Sequence, residues 1–371
     1  MSLYLAFLAA FIWLISFLLP WQPWRTREEL SAEPHHSQAD LSDVTVIIPA
    51  RDEAQVIGTT LAALENQGWG LTVIVVNDES SDDTAKIVQQ STLSGLSLIN
   101  SEKLPEGWTG KLWAQHQGIE KVNTPLTLLL DADIKLSEGM IGTLKHKLQT
   151  EQLHFVSLMA KLRFSSFWEK LLMPAFIYFF KMIYPFALAN HPKSKVAAAA
   201  GGCILVETAV LKQIGAMEVL KDAVIDDCTL AKTVKQEGCK TWIGLTHGVS
   251  SQRPCVELSE IWNMVARTAY TQLRYSVTLL LLCTFLMLLM YCLPVLGIFY
   301  FQGTAWILSL SSLAMMIIMY RPTLRFYSLN SAWSFAMPVI AGLYLLMTWS
   351  SAIRYWKGVR SEWKGRIYKT D

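Results

Sequence analysis

The chain has little that would staple it together. Its six cysteines, Cys203, Cys228, Cys239, Cys255, Cys283 and Cys292, contain no Cys-x-x-Cys pair. They read as reduced core thiols rather than zinc ligands or disulfides. There is no internal repeat, and no low-complexity tract beyond "AAAAGG" at 197–202. Charge of one sign is also scarce: the net charge is +2, and no nucleic-acid partner is expected. The first apolar run, Leu3–Leu19, lacks a charged leader and a small-residue cleavage site, so it reads as a retained anchor rather than a signal peptide.

Apolar sequence is what the chain has in excess. Apolar residues make up 52% of it, high for a soluble protein, which places part of the chain in lipid. After the anchor, "PWQPWRTR" supplies interfacial tryptophans and arginines, which put the central part of the chain on the cytoplasmic side. Three more apolar stretches, Val277–Tyr300, Ala305–Tyr320 and Trp333–Ile353, lie near the far end. The basic tail from Arg354 to Asp371 is cytoplasmic by the same charge rule, yet three full crossings would put it outside. Either one segment fails to cross or the charge rule fails.

The middle of the chain alternates strand and helix. "VTVIIPARDEAQVIGTTLAALENQ" and "LTVIVVNDESSDDTAKIVQQ" each join a buried strand to an acidic turn and a helix, and "LTLLLDAD" adds a third strand. This order predicts a mostly parallel sheet with helices on both faces and ligands at the carboxyl ends of the strands. Asp52, Asp78, Asp131 and Asp133 would all reach that rim. Buried carboxylates cost several kcal/mol unless paired, and a nucleotide diphosphate with its metal would supply partners. Phe167–Ala189 is aromatic but interrupted by Glu169, Lys170, Lys181, Pro174 and Pro185, a pattern for a helix lying in the membrane surface. The polar stretch Glu28–Asp43, with His35 and His36, reads as solvated linker. Expected boundaries are a membrane anchor at 1–22, linker at 23–42, cytoplasmic catalytic domain at 43–265 with the surface helix at 167–189, a membrane-entry motif at 266–276, membrane segments at 277–353 and a basic cytoplasmic tail at 354–371.

"VIIPARDEA", "VVNDESSDDT", "GWTGKLWAQHQG" and "LLLDADI" resemble the nucleotide-sugar half of the family 2 glycosyltransferases. "GGCILVETAVLKQIGAMEVLKDAVIDDCTLAKTVKQEG" resembles their acceptor half. With the flanking apolar segments, the likeness is greatest to the hopene-associated glycosyltransferases, related to the ceramide glucosyltransferase and carotenoid glycosyltransferase types. The resemblance implies a GT-A (Rossmann-like) fold, a divalent metal (Mg2+ or Mn2+), a nucleotide-sugar donor and a lipid acceptor at a bacterial inner membrane. Pro49, Ala50, Asp52, Asp78, Lys111, Asp131 and Asp133 would form the donor site. Asp52 and Asp78 would take uracil and ribose, Asp131 the sugar or ribose, Asp133 the metal, and Lys111 the diphosphate. Asp227 of "AVIDDCTL" would be the general base, with Asp226 tuning it; read alone, the pair equally fits a helix N-terminus.

Where relatives carry Gln-x-x-Arg-Trp, this chain has Thr271, Arg274 and Tyr275. Only Arg274 carries over firmly, as a cation for the leaving diphosphate. The loss argues against a processive polysaccharide synthase. Gly201, Gly202, Tyr275 and, in "SEWKGRIYKT", Lys364 and Arg366 are expected on the acceptor or diphosphate side. Arg253 and Arg267 read equally well as salt-bridge partners. Two alternatives stand beside a lipid-hydroxyl transferase: a polyprenyl-phosphate sugar synthase, which needs no base, and a noncatalytic membrane scaffold or transporter.

Overall fold

A computed structural model describes residues 1–371 apart from 222, 224, 364, 365, 370 and 371, with side chains described through residue 359. The chain divides into two compact units. One, the sheet unit, comprises 28–163 and 186–254; the other, the helical unit, comprises 1–27, 164–185 and 255–371.

The sheet unit holds eight strands: β1 (Val44–Ala50), β2 (Thr72–Asn77), β3 (Leu96–Asn100), β4 (Leu126–Leu130), β5 (Ile134–Leu136), β6 (Phe155–Lys161), β7 (Cys203–Glu207) and β8 (Thr241–Ser251). Their order is β3-β2-β1-β4-β7-β6-β8-β5. Strands β3, β2, β1 and β4 are mutually parallel, β7 is antiparallel to both neighbours, β6 and β8 are parallel, and β5 is antiparallel to β8. The sheet is therefore mixed, with β7 and β5 as its reversed strands.

Burial on both faces explains why β1, β2 and β4 read as unbroken apolar runs. Successive residues alternate between two cores. Val46 and Ile48 pack with Leu61 and Leu144 on one face, whereas Ile47 packs with Leu112, Ile119 and Leu230 on the other. The helix Gly110–Glu120 lies directly on β1. A Cβ at Gly118 would come within 2.7 Å of the Ile47 side chain, so the missing side chain is what permits this approach.

The polar stretch expected as solvated linker is packed instead. Leu30 N donates to Leu245 O and Leu245 N to Glu28 O, which adds this segment to β8. The turn Pro34–Gln38 lies on the helix Met140–Thr150, where a Cβ at Gly142 would meet the His36 Cβ at 2.7 Å. Leu41 is fully buried. Local polarity did not reveal these partners, which come from residues about a hundred positions or more away.

The helical unit contains three helical stretches long and apolar enough to cross a membrane, Val277–Tyr300, Gly303–Phe326 and Ser331–Trp356, and the shorter apolar helix Ser2–Leu18. A further helix, Phe167–Ile183, opens with a reciprocal capping box between Ser166 and Glu169. The charges that seemed to mark its polar face are buried. Glu169 accepts from Ser165 N, Ser166 N and Cys255 N at 2.7–3.0 Å, and Lys181 donates to the Arg25 carbonyl. At the chain's end, β9 (Val359–Trp363) and β10 (Arg366–Lys369) form an antiparallel hairpin.

Candidate active site

Two of the four rim aspartates, Asp78 and Asp131, directly follow strand ends. Asp78 N bonds Ala50 O at 2.8 Å, tying the end of β2 to that of β1, and Asp131 N bonds Gly202 O at 3.0 Å, tying the end of β4 to the head of β7. Pro49 and Ala50 are buried at the end of β1, so any approach of a donor to them is to backbone. Asp52 adopts φ 49° and accepts from both the backbone N and the hydroxyl of Ser81. Asp78 is only 1% exposed and faces Arg51, whose Nη1 lies 2.7 Å from its carbonyl and 3.8 Å from its carboxylate.

Asp131, Ala132 and Asp133 make a tight turn closed by Ile134 N on Asp131 O. Ala132 is buried in the core and its carbonyl accepts from Thr60 Oγ1 at 2.7 Å. Pinning the small middle residue inward leaves the two flanking carboxylates free to face the site. Their partners differ. Asp131 Oδ1 pairs with Lys111 Nζ at 2.7 Å, whereas Asp133 Oδ2 accepts from Ser251 Oγ at 2.6 Å and lies 3.7 Å from Arg253 Nε. Arg253 is anchored in turn on Glu53 Oε1 at 2.6 Å.

Beyond Lys111 the site continues to the second acidic pair. Asp226 and Asp227 open the helix Asp226–Gln236, where unpaired backbone N–H groups favour carboxylates. Asp227 Oδ1 accepts from Cys228 N at 2.7 Å and Oδ2 from Gly201 N at 2.9 Å, while Asp226 Oδ1 accepts from Asp227 N at 3.1 Å. The position of a Cβ on Gly201 would lie 3.5 Å from Asp227 Oδ2 and 3.6 Å from Lys111 Nζ, so Gly201 stands between these two side chains. Gly202 packs against Ile134. Lys111, Gly201, Asp226 and Asp227 line one small cavity of about 10 Å³.

Burial, then the charge of Asp226, pushes the Asp227 carboxyl up to about 6, although Cys228 N, Lys111 and Gly201 N oppose the rise. Burial also raises Asp131 above the ordinary carboxylate range, against the pull of Lys111. For Lys111, burial favours the neutral amine, but the charges of Asp131, Asp226 and Asp227 outweigh it and hold the ammonium form. The centre is thus a cation flanked by carboxylates, one of which titrates near neutrality.

A profile of the family described as "Glycosyltransferase like family 2" matches residues 42–271, more than half of the chain. The chain belongs to this family. The computed structure is similar to that of mannosyltransferase PcManGT from Pyrobaculum calidifontis, solved with GDP-Man and Mn2+ (TM-score 0.60, 16% identity, 95% of this chain and 98% of that one). A 4,4'-diaponeurosporenoate glycosyltransferase of Staphylococcus aureus (strain USA300) is 33% identical over 110 residues, 29% of this chain. The match spans only 28% of that relative's length. The likeness to this carotenoid glycosyltransferase covers that part alone. The fold is the GT-A type.

The remaining expected site residues belong to the helical unit. Arg274 and Tyr275 both have positive φ, 52° and 54°. Arg274 is exposed; Tyr275 stacks on Tyr355 at 4.3 Å and its hydroxyl accepts from Thr271 Oγ1 at 3.0 Å. Arg366 opens β10, and Lys364 lies outside the described residues. Sequence reasoning missed Glu53 and Ser251 and left Arg253 undecided. The signal for Glu53 was its place directly after Asp52 at a strand-end turn.

Proposed function

We propose that this protein is an integral-membrane, metal-dependent, inverting glycosyltransferase that moves a sugar from a nucleotide sugar, a UDP-sugar in our reading, to the hydroxyl of a lipid. The observation that carries the proposal is Asp227: a carboxylate titrating at about 6, oriented by two backbone N–H groups beside Lys111. Catalytic bases work best when their pKa lies near the operating pH.

In the reaction the acceptor oxygen attacks the anomeric carbon on the face opposite the diphosphate. The bond to the diphosphate oxygen breaks, and the hydroxyl proton passes to Asp227. Asp226 holds the base in place through the Asp227 N–H and keeps its proton affinity high. Lys111 meets charge developing on the departing diphosphate. Asp52 and Asp78 take the nucleoside. Asp131 and Asp133, hard oxygen donors separated by one residue, suit Mg2+ or Mn2+. Such an ion, when bound, would neutralise the diphosphate as a Lewis acid. The solved neighbour named above, which holds GDP-Man with Mn2+ on the same fold, supports a nucleotide-sugar donor and a metal.

A lipid acceptor and a multi-pass place in a bacterial inner membrane, with the sheet unit in the cytoplasm, are supported by the three long apolar helices and by the partial likeness to a carotenoid glycosyltransferase. The test is direct. Membranes containing the chain are incubated with a panel of labelled nucleotide sugars, and the lipid extract is analysed by mass spectrometry. A labelled glycolipid that disappears with Asp227→Asn supports the proposal. Transfer that survives this substitution would favour a phosphate acceptor, and an absence of any transfer together with no nucleotide binding would favour a noncatalytic scaffold.

A further inference from the structure

Asp133 is already engaged by groups of its own chain. Its Oδ2 receives the Ser251 hydroxyl at 2.6 Å and has Arg253 Nε at 3.7 Å, and its carbonyl receives Gln252 N at 2.7 Å. The pairing of Ile134 with Ser251 between β5 and β8 brings these groups together, so the arrangement is built into the sheet. Arg253 is the most exposed member. Its side chain is 44% exposed, against 13% for Asp133 and 9% for Glu53. Glu53 is held firmly, since its backbone N donates to Thr84 Oγ1 at 2.8 Å and its carbonyl accepts from Val56 N and Ile57 N.

A divalent cation on Asp133 Oδ2 would share that oxygen's surroundings with a guanidinium that never deprotonates. Two cations so close repel unless an anion is added. We propose that Arg253 competes with the metal at Asp133, with Glu53 as the seat that keeps the guanidinium when it is displaced. The pair thereby couples metal binding to arrival of the donor diphosphate. This rests on the reading that Asp133 holds the metal. The diphosphate brings the negative charge that lets metal and arginine coexist, so metal alone binds weakly and metal with nucleotide binds well. By linkage, each tightens the other by the same factor. Arg253 is a positioning residue, acting through Asp133 and the metal.

The test is Mn2+ binding to the purified full chain in detergent, followed by the electron paramagnetic resonance signal of free Mn2+, with and without UDP or GDP. In the parent chain, nucleotide should tighten Mn2+ binding. Arg253→Gln should bind Mn2+ without nucleotide on the order of tenfold more tightly, the size expected from removing a unit charge a few ångströms from a divalent ion across water. The added effect of nucleotide should shrink correspondingly. Glu53→Gln, which removes the seat and leaves Arg253 to Asp133, should weaken nucleotide-free binding. Opposite signs in these two variants are not a consequence of general misfolding. Unchanged or weaker Mn2+ binding in Arg253→Gln, where Asp133→Asn abolishes it, would overturn the competition. Mn2+ binding untouched by Asp133→Asn would overturn the underlying metal assignment instead.

Discussion

The titration of Asp227 gives the most exacting test of the proposed chemistry. A base must be deprotonated to act, so kcat/KM should rise with pH through about 6 and level off above it. Burial is the largest cause of the raised value and Asp226 the second, with Asp227 N bonded to Asp226 Oδ1 at 3.1 Å. Asp226→Asn removes the second cause and keeps an oxygen able to accept that bond. At an effective dielectric suited to a partly wet site, one neighbouring charge is worth on the order of 1 pH unit, so the ascending limb should move down by about that much. Lys111→Met should move it the other way, because Lys111 lowers the Asp227 value. The position of the limb is diagnostic here, not its height, since Lys111 also pairs with Asp131. The assay is transfer from labelled nucleotide sugar measured from about pH 5 to 8, a range that brackets the limb. A limb unmoved by Asp226→Asn, or one that persists in Asp227→Asn, would refute the assignment of base and tuner.

The same shift has a stability consequence. A carboxyl raised in the folded chain favours folding below its unfolded pKa, and that advantage is lost as pH rises through about 6, so Asp227→Asn should be more stable than the parent by about 1–3 kcal/mol at pH 7.5 and by about half as much at pH 5, as read by thermal melts. Chelation by EDTA and Asp133→Ala should each abolish transfer in protein that still elutes as folded; transfer that persists in chelator would remove the metal from the reaction. Glu169→Ala should destabilise the helical unit by about 3 kcal/mol or more, because three backbone N–H groups lose their acceptor, whereas Lys170→Ala should change little. Cysteines placed at Ser276 and Lys357 should be labelled from the same side of the membrane by an impermeant reagent; labelling from opposite sides would mean that the last helix does not return beside the first.

Much of the sheet was legible because β1, β2 and β4 are buried on both faces and so carry unbroken apolar runs. β8 was not, because its eleven residues mix Thr, Gly, His and Ser, and its direction depends on pairings with distant strands. Asp131 and Asp133 stood out as carboxylates placed where an apolar strand ends. Their partners could not, since Ser251 lies 118 positions from Asp133. Arg253 was ambiguous for the same reason: a lone arginine before a proline is a surface residue until the fold sets it against Glu53. The helix Phe167–Ile183 shows the reverse failure. Glu169 and Lys181 read as the polar edge of a surface helix, yet backbone groups from 165–166, 255 and 25 neutralise them in the interior. Periodicity reports where charges fall on a helix, but not whether backbone elsewhere will receive them.

The basic tail raised a conflict on which contacts in the helical unit bear. Tyr270 N bonds Ser351 Oγ at 3.0 Å, Trp349 Nε1 bonds Thr284 Oγ1 at 3.0 Å, and Leu280 packs with Ala352. The end of the last apolar helix therefore lies beside the start of the first. A chain that entered a bilayer at Val277 and left beside that point would make an even number of crossings. Arg354, at that end, bonds Asn263 Oδ1 at 2.6 Å on the amphipathic helix Leu258–Ala266. Cations there need water or lipid headgroups around them, and both the helix end and the amphipathic helix then belong at one interface.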